Sequence, residues 1–158
     1  MKIVCLLFTV VLLVALPAGV RGQGGAKQSP QVARDSDLEK DSLHNLEVAR
    51  HYFKLKKAYV AALQRCEEIK AGNPMFSRID EVLFIAGKSS LNLAEGKGRQ
   101  AASLYLIQDG DKKRPLTPEE LRELARTYLS ELVTEHPQSS FRTLAEDDLK
   151  LLGGPKLK

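Results

Sequence analysis

The chain has 158 residues, and its 24 lysines and arginines against 20 aspartates and glutamates give a formal net charge of +4 at pH 7. This length predicts a single domain. The charge excess is too small for a nucleic-acid binder, which would collect basic residues in clear excess on one face.

An export signal is predicted at residues 1–22. Lys2 precedes an almost wholly apolar run over residues 3–16, and Pro17, Ala18 and Gly19 follow it. A charged start, an apolar stretch and a small-residue exit are typical of a secretory signal peptide. The run is too short to cross a bilayer comfortably, and a short membrane anchor is the alternative.

Cleavage after Gly22 would change both the charge and the thiol content. It would remove Lys2 and Arg21, which leaves 22 basic residues against 20 acidic ones, and Cys66 would be the single remaining cysteine. An intrachain disulfide is then excluded, and the fold must rest on apolar burial. No cysteine directly follows the apolar run, so a lipid anchor is not predicted.

Residues 23–36 are predicted to be a flexible linker because they are rich in Gly, Gln and Ser and lack an apolar period. A helical domain over residues 37–152 follows, and residues 153–158 form a tail. Start and stop signals mark five helices in the domain, and no strand-like alternation of useful length is present.

The first three helices are predicted over residues 38–55, 58–71 and 77–94. Ser36 and Glu39 have the spacing of a capping box, and Ser77 lies three residues before Asp80 at the third start. The second helix stops at Gly72-Asn73-Pro74. The first helix carries a stripe whose apolar members are expected to face a partner helix. The stripe consists of Leu43, Leu46, Arg50 and Phe53, with Tyr52 beside it.

A short helix over residues 99–107 and a polar loop over residues 108–115 are predicted next. The strongest helix start follows, since Thr117 can accept from the backbone, Pro118 suits the first helical position and Glu120 completes a capping box. That helix is expected to end near Glu135.

The last helix is predicted over residues 140–152. Gly153-Gly154-Pro155 ends it, and residues 156–158 are expected to be free.

Four positions recur at a distance of 63 residues. They are Ala62, Cys66, Ile69 and Pro74, which recur as Ala125, Leu129, Leu132 and Pro137. Their spacing is that of the second helix of a tetratricopeptide hairpin and its terminal proline, where the small residue allows close helix packing. Tyr59 extends the match, and Leu83, Ala86 and Gly87 have the spacing of a first helix.

The period of 63 exceeds the ordinary period of about 34, which implies an insertion at residues 96–115. The predicted fold is therefore all-α, with tetratricopeptide-like antiparallel helical hairpins forming a short α-solenoid of about two and a half repeats. The core of the repeat, including Cys66, is expected to be buried.

Several segments resemble the BamD family of outer-membrane assembly lipoproteins. They are residues 52–63 (YFKLKKAYVAAL), Asn73-Pro74, residues 84–91 (FIAGKSSL) and residues 128–141 (YLSELVTEHPQSSF). The chain departs from that family in lacking a lipid-attachment cysteine and in having about half the number of repeats. Tol–Pal-associated coordinator proteins share the same degenerate motifs.

The resemblance implies a protein–protein interaction scaffold of the cell envelope. It would act in the periplasm or at the periplasmic face of the outer membrane, in outer-membrane protein assembly or, alternatively, as a Tol–Pal or cell-wall coordinator. Its partners would be proteins, bound on a concave face made largely by the first helices. The candidate contact residues are those of 45–50 and 78–92 that do not face the core.

No catalytic motif is predicted. Gly87-Lys88-Ser89 resembles the end of a phosphate-binding loop, but Val82 stands where that motif needs its first glycine. His44, Glu47 and His51 share one helical side and are the weak basis of a metal-binding or enzymatic alternative. We therefore predict no enzyme, no cofactor, no metal and no small-molecule substrate.

A basic run lies at the end of the first helix. It comprises Arg50, Lys54, Lys56 and Lys57. Such a run is typical of a solvated face, and it is also compatible with peripheral association with anionic lipid or with contact to an acidic partner.

Overall fold

A computed structural model describes residues 36–156, so the predicted signal peptide and nearly all of the linker lie outside the described residues. The described part is a mostly helical domain of five helices packed as adjacent antiparallel pairs, with a small two-stranded hairpin. The helices are α1 (Ser36–Arg50), α2 (Tyr59–Gly72), α3 (Ile79–Ala94), α4 (Pro118–Glu135) and α5 (Arg142–Leu151). The described residues do not by themselves identify a repeat, so the period of 63 remains a sequence observation.

The first predicted helix is continuous but changes its winding. After α1 the chain continues as a π-helix, His51–Lys56, and ends at Lys57, whose φ of 53° is left-handed. A left-handed residue is a common helix terminator, although it is usually glycine. Leu46 is buried and Phe53 half-buried as predicted, but Leu43 is 39% exposed, because Ser42 occupies the inward position instead.

At two predicted helix starts, the polar residues do not form the predicted local caps. Glu39 does not close a capping box on Ser36; its Oε1 accepts from the backbone N–H of Ser77 at 3.3 Å. The third helix begins at Ile79 without a side-chain cap, and Asp80 Oδ2 accepts from the hydroxyl of Ser139 at 2.7 Å. Both carboxylates thus accept hydrogen bonds from segments that are distant in the sequence. The local spacing of residues does not predict these contacts.

The start of α4 is as predicted. The Thr117 hydroxyl accepts from the Glu120 backbone N–H, and the Glu120 carboxylate accepts from the Thr117 backbone N–H at 2.8 Å. This reciprocal pair is the capping box, with Pro118 at the first helical position.

The prediction of a short helix followed by a polar loop between α3 and α4 is wrong. This segment contains one 3₁₀ turn, Ala102–Leu104, and a hairpin of β1 (Leu106–Asp109) and β2 (Lys112–Pro115). The strands are antiparallel, with Asp109 opposite Lys112, and Gly110 has a φ of 60° in the two-residue turn. Glycine at the first turn position is typical of a type II′ hairpin.

The core contains nearly all of the recurring positions. Ala62 and Ala125 are both 0% exposed. Also buried are Tyr59, Cys66, Ile69, Leu83, Ala86, Gly87, Leu129 and Leu132, whereas Pro74 and Pro137 are exposed in turns. Burial raises the pKa of the Cys66 thiol, so this side chain packs as a small apolar group.

Gly87 allows a close approach between α3 and α4. A Cβ at this position would lie 2.7 Å from the side chain of Leu129 on α4. Such a distance is shorter than carbon atoms tolerate, so a larger residue would force the Leu129 side chain, or α4 with it, to shift. Gly87 therefore acts as a packing residue, and the resemblance of Gly87-Lys88-Ser89 to a phosphate loop has no structural counterpart inside α3.

Ser89 offers a stability prediction. It is 0% exposed, and its hydroxyl has no hydrogen-bond partner among residues 36–156, whereas the adjacent Ser90 hydroxyl donates to the Ala86 carbonyl at 2.9 Å. A buried hydroxyl without a partner keeps its desolvation cost uncompensated, so Ser89→Ala should raise the free energy of unfolding by about 1 kcal/mol. Urea unfolding measures it, with Ser90→Ala as the control that should gain nothing. A loss of stability in Ser89→Ala would contradict the prediction.

The connections lie at two opposite ends of the domain, because helix direction alternates. The α2–α3 and α4–α5 turns meet at one end, where both line the same groove. At the other end, the Arg99 backbone N–H donates to the Lys57 carbonyl at 2.9 Å, which joins the α1–α2 turn to the inserted segment.

Candidate functional site

Helices α1, α3 and α5 share one side of the domain. Arg50 of α1 binds Glu81 of α3, and Lys88 of α3 binds Asp148 of α5 at 2.7 Å. We call this surface the first-helix face. It includes the exposed Glu47 and the partly exposed residues Asn45, Val48, Arg50, Asp80, Phe84, Lys88 and Asn92.

Within the candidate stretch 78–92, only one stripe of α3 is accessible at the surface. Asp80, Phe84, Lys88 and Asn92 are half-buried at intervals of four, while the other residues after Arg78 are buried. Residues four apart lie on one side of a helix. The structure therefore leaves a narrow strip of α3 at the surface, between α1 and α5.

The strip combines an aromatic group with charge. The Phe84 ring stacks on Phe141 with centroids 4.9 Å apart and an interplanar angle of 21°. One turn further along, Lys88 binds Asp148 Oδ1, while Asp148 Oδ2 is buried without a partner among the described residues. The strip therefore presents a half-buried aromatic ring next to an ion-paired lysine.

A buried carboxylate anchors the first-helix face. Glu81 is 4% exposed and accepts from Arg50 Nε and Nη2 and from Arg78 Nη2, each at 2.6 Å. Burial alone would raise the pKa of the Glu81 carboxyl, but the Arg50 hydrogen bonds and the positive charges of Arg50, Arg78 and Lys54 lower it. Glu81 is therefore ionised in the folded protein and holds α1 against α3.

The opposite side of the domain has its own polar cluster. Glu67 Oε1 on α2 accepts from the Tyr105 hydroxyl at 2.5 Å and from the Tyr128 hydroxyl at 3.1 Å. Burial raises the pKa of the Glu67 carboxyl, and the two tyrosine hydrogen bonds offset part of that rise. Lys70 lies 5.2 Å from the Tyr128 ring centroid and binds Glu131, so this cluster ties α2, α4 and the inserted segment together.

Glu67 yields a prediction with two variants. Glu67→Ala leaves two buried hydroxyl donors without an acceptor and should cost about 2–3 kcal/mol in the free energy of unfolding. Glu67→Gln retains an acceptor oxygen and should cost less. Urea unfolding of both variants measures the difference, and equal losses would contradict a role for the acceptor.

The same residue predicts a pH dependence. A raised folded-state pKa means that the folded protein binds the Glu67 proton more tightly than the unfolded chain does. This contribution to stability is therefore present below the unfolded pKa of about 4.5 and is lost as the pH rises through the folded pKa. The Glu67→Gln variant should lack that decline. If its stability fell with rising pH as in the wild type, Glu67 would not be the group responsible.

The inserted segment, residues 96–115, is held at four points. Besides Tyr105 and the Arg99 backbone, Gln100 Oε1 accepts from the Ala61 backbone N–H in the first turn of α2 at 3.1 Å. Arg114 donates two hydrogen bonds to Glu120 in the first turn of α4. The segment thus satisfies a backbone N–H in the first turn of α2 and binds a side chain in the first turn of α4, which gives the insertion a structural role.

An open groove of about 480 Å³ lies at the end of the domain where the two proline turns meet. Its walls are residues 74–77, 79–80 and 135–139, including Met75, which is 64% exposed. The Ser139–Asp80 hydrogen bond crosses between the walls. The groove is open and of mixed polarity, and its polar lining includes Asp80, Glu135, His136 and Ser139.

The C-terminal tail is bound along α4. The prediction that Lys156 is free is therefore wrong. Gly153 and Gly154 have positive φ values of 86° and 96°, which turn the chain back after α5. Arg126 Nε donates to the Gly154 carbonyl at 2.7 Å, and the Lys156 backbone N–H donates to the Ser130 hydroxyl at 2.8 Å. The tail thereby covers Ser130, which is 5% exposed. Leu157 and Lys158 lie outside the described residues.

The metal alternative receives no geometric support. His44, Glu47 and His51 are all exposed on α1 and its π-helical continuation. No group of three or more His, Cys, Asp or Glu side chains between residues 36 and 156 is placed to hold a metal ion.

Sequence reasoning missed the Glu67 cluster and the Glu81 anchor. Glu67 and Tyr128 are 61 residues apart, and Arg50 and Glu81 are 31 apart. The one local signal was that each carboxylate directly adjoins a core residue, Cys66 in one case and Val82 in the other. Such a position marks a carboxylate that needs a partner, but not which partner it finds.

No protein-family model, curated protein or solved structure matches this chain. The resemblance to the BamD family is therefore carried by the residues quoted above alone. No helix within residues 36–156 is long and apolar enough to cross a membrane.

Proposed function

We propose that the chain is an exported, non-enzymatic protein–protein interaction scaffold of the cell envelope, built from tetratricopeptide-like hairpins. It acts in the periplasm or at the periplasmic face of the outer membrane, and outer-membrane protein assembly is its first candidate process. The proposal is supported by an export-type N-terminus ahead of adjacent antiparallel helix pairs. The burial of Ala62, Gly87 and Ala125 at the helix contacts also supports it.

The observation that carries the proposal is the first-helix face. Alternate helices line one side of a stack of hairpins and form an extended surface suited to a polypeptide. Here α3 contributes the strip with Phe84 and Lys88, bordered by α1 and α5. A helical or extended segment of a partner would place an apolar side chain against Phe84 and charges near Lys88 and Arg50.

Site-specific photo-crosslinking in the native envelope tests this surface. A photoreactive amino acid at Asn92, on the first-helix face, should capture a partner that mass spectrometry identifies. The matched control is the same amino acid at Gln64, an exposed position of α2. Capture of outer-membrane assembly components from Asn92 alone supports the proposal.

Two other outcomes change the conclusion. Capture of peptidoglycan-associated or Tol–Pal components from Asn92 selects the coordinator alternative. Equal capture from Asn92 and Gln64, or none from either, overturns the first-helix face as the binding surface.

The metal-binding or enzymatic alternative is tested separately. We expect purified protein to melt at the same temperature before and after chelation, because the exposed His44 and His51 side chains contribute nothing to the core. Calorimetry of the full chain with added zinc provides the measurement, and His44→Ala is the control. Stoichiometric zinc binding that His44→Ala abolishes would contradict the proposal.

A further inference from the structure

The distribution of basic residues along the chain is uneven. Residues 48–66 contain five basic side chains and no acidic one, and residues 96–108 contain two basic side chains and no acidic one. The whole chain carries only a small excess of positive charge. Each of these two stretches therefore carries a local excess of positive charge.

The fold brings the two stretches together at one end of the domain. The Arg99 backbone N–H donates to the Lys57 carbonyl at 2.9 Å. Gly98, with a φ of 94°, lies so close that a Cβ would come within 2.6 Å of the Lys57 carbonyl oxygen and the Tyr59 ring. The contact is therefore built into the backbone, and it places residue Arg99 next to Lys57 in the α1–α2 turn.

The charges at this corner are largely uncompensated. Other basic residues of the two stretches have ion pairs: Arg50 with Glu81, Arg65 with Glu68, and Lys97 with Glu95. Lys54, Lys56, Lys57 and Arg99 are exposed and form no ion pair among residues 36–156. We call these four residues, with Leu55 between them, the basic turn.

Leu55 gives the basic turn an apolar tip. It is 69% exposed and lies between Lys54 and Lys56 where the π-helix ends. A leucine that projects from a turn is suited to insertion into a soft interface, and the flexible lysine stems beside it can extend their ammonium groups to phosphates. A groove for an acidic peptide would instead present its apolar residues in a concave wall.

We propose that the basic turn docks the domain on an anionic lipid surface. Each Lys or Arg close to such a surface strengthens binding by roughly five-fold, and Leu55 adds apolar burial. The attachment is reversible and weakens with salt, because exposed charges are screened. It uses a different surface from the strip of α3, so it goes beyond the proposed function and does not depend on the identity of the protein partner.

Vesicle co-sedimentation of the full chain tests the charge requirement. The double variant Lys54→Gln/Lys56→Gln should lose about ten-fold or more in partitioning to phosphatidylglycerol-containing vesicles. The charge-matched control, Lys112→Gln/Lys113→Gln on the hairpin, should stay within about two-fold of the wild type. The apolar N-terminus is present in every variant, and neutral phosphatidylcholine vesicles measure its separate contribution.

Fluorescence tests the insertion, because the chain contains no tryptophan. Leu55→Trp should shift its emission to shorter wavelength on addition of anionic vesicles, whereas Leu151→Trp, at a position 82% exposed on α5, should not. Melting of each variant verifies folding.

Three results would overturn the proposal. Equal losses of vesicle binding in the two double variants would show that net charge, and not the basic turn, causes the binding. An unshifted emission from Leu55→Trp would remove the insertion. Binding to a polyglutamate peptide, with no binding to anionic vesicles above the neutral ones, would assign the basic turn to an acidic protein partner instead.

Discussion

Ala62→Trp and Ala125→Trp should each lower the free energy of unfolding by about 1–3 kcal/mol or more. Both alanines are 0% exposed at helix contacts, and Ala125 lies beside Gly87, where its backbone carbonyl would be 3.4 Å from an added Cβ. An indole cannot enter such a contact without separating the helices. Urea unfolding and thermal melting measure the loss.

The controls are tryptophans at exposed positions of the same helices. Gln64→Trp on α2 and Arg122→Trp on α4 should change stability by less than about 0.5 kcal/mol. If Ala62→Trp and Ala125→Trp melted like these controls, the predicted hairpin register would be wrong.

Removal of the Glu81 carboxylate should have the second large effect. Glu81→Ala leaves the Arg50 and Arg78 guanidinium groups without their acceptor. A fully buried pair typically costs about 3–5 kcal/mol when broken. The guanidinium side chains are 29% and 47% exposed, against 6% for Glu81, so water compensates part of the loss and we expect about 2–3 kcal/mol.

The pH dependence of this anchor has a defined sign. The folded-state pKa of Glu81 is lowered, so its contribution is present above the unfolded pKa of about 4.5 and is lost as the pH falls through the folded pKa. The difference in stability between wild type and Glu81→Gln should therefore shrink in acid. Glu68→Gln, at an exposed pair with Arg65, serves as the control. A difference that stays constant with pH would refute the assigned role.

Features that depend on neighbours along the chain were predictable. The capping box at Thr117 was predictable because its two hydrogen bonds join residues three apart. The burial of Ala62, Ala125 and Gly87 was also predictable, because helical periodicity places them on the packed side.

The hairpin within residues 96–115 was missed for a physical reason. Gly110-Asp111 is a turn signal, but β2 consists of Lys-Lys-Arg-Pro, which has no apolar alternation and little strand propensity. Its position depends on Arg114, which reaches Glu120, and on Tyr105, which reaches Glu67. These contacts attach a weak local structure to helices that fold around it.

The amino-acid sequence by itself determined the helical class, the position of α4's start and the small residues at which helices meet, because those depend on spacings of three or four residues. Only the tertiary structure decided that Glu39 and Asp80 bond across turns, that Glu81 holds α1 to α3, that the tail lies along α4 and that Arg99 joins the lysines of the basic turn. Each of these joins residues far apart in the chain, and a charged side chain takes whichever partner packing brings within hydrogen-bond distance.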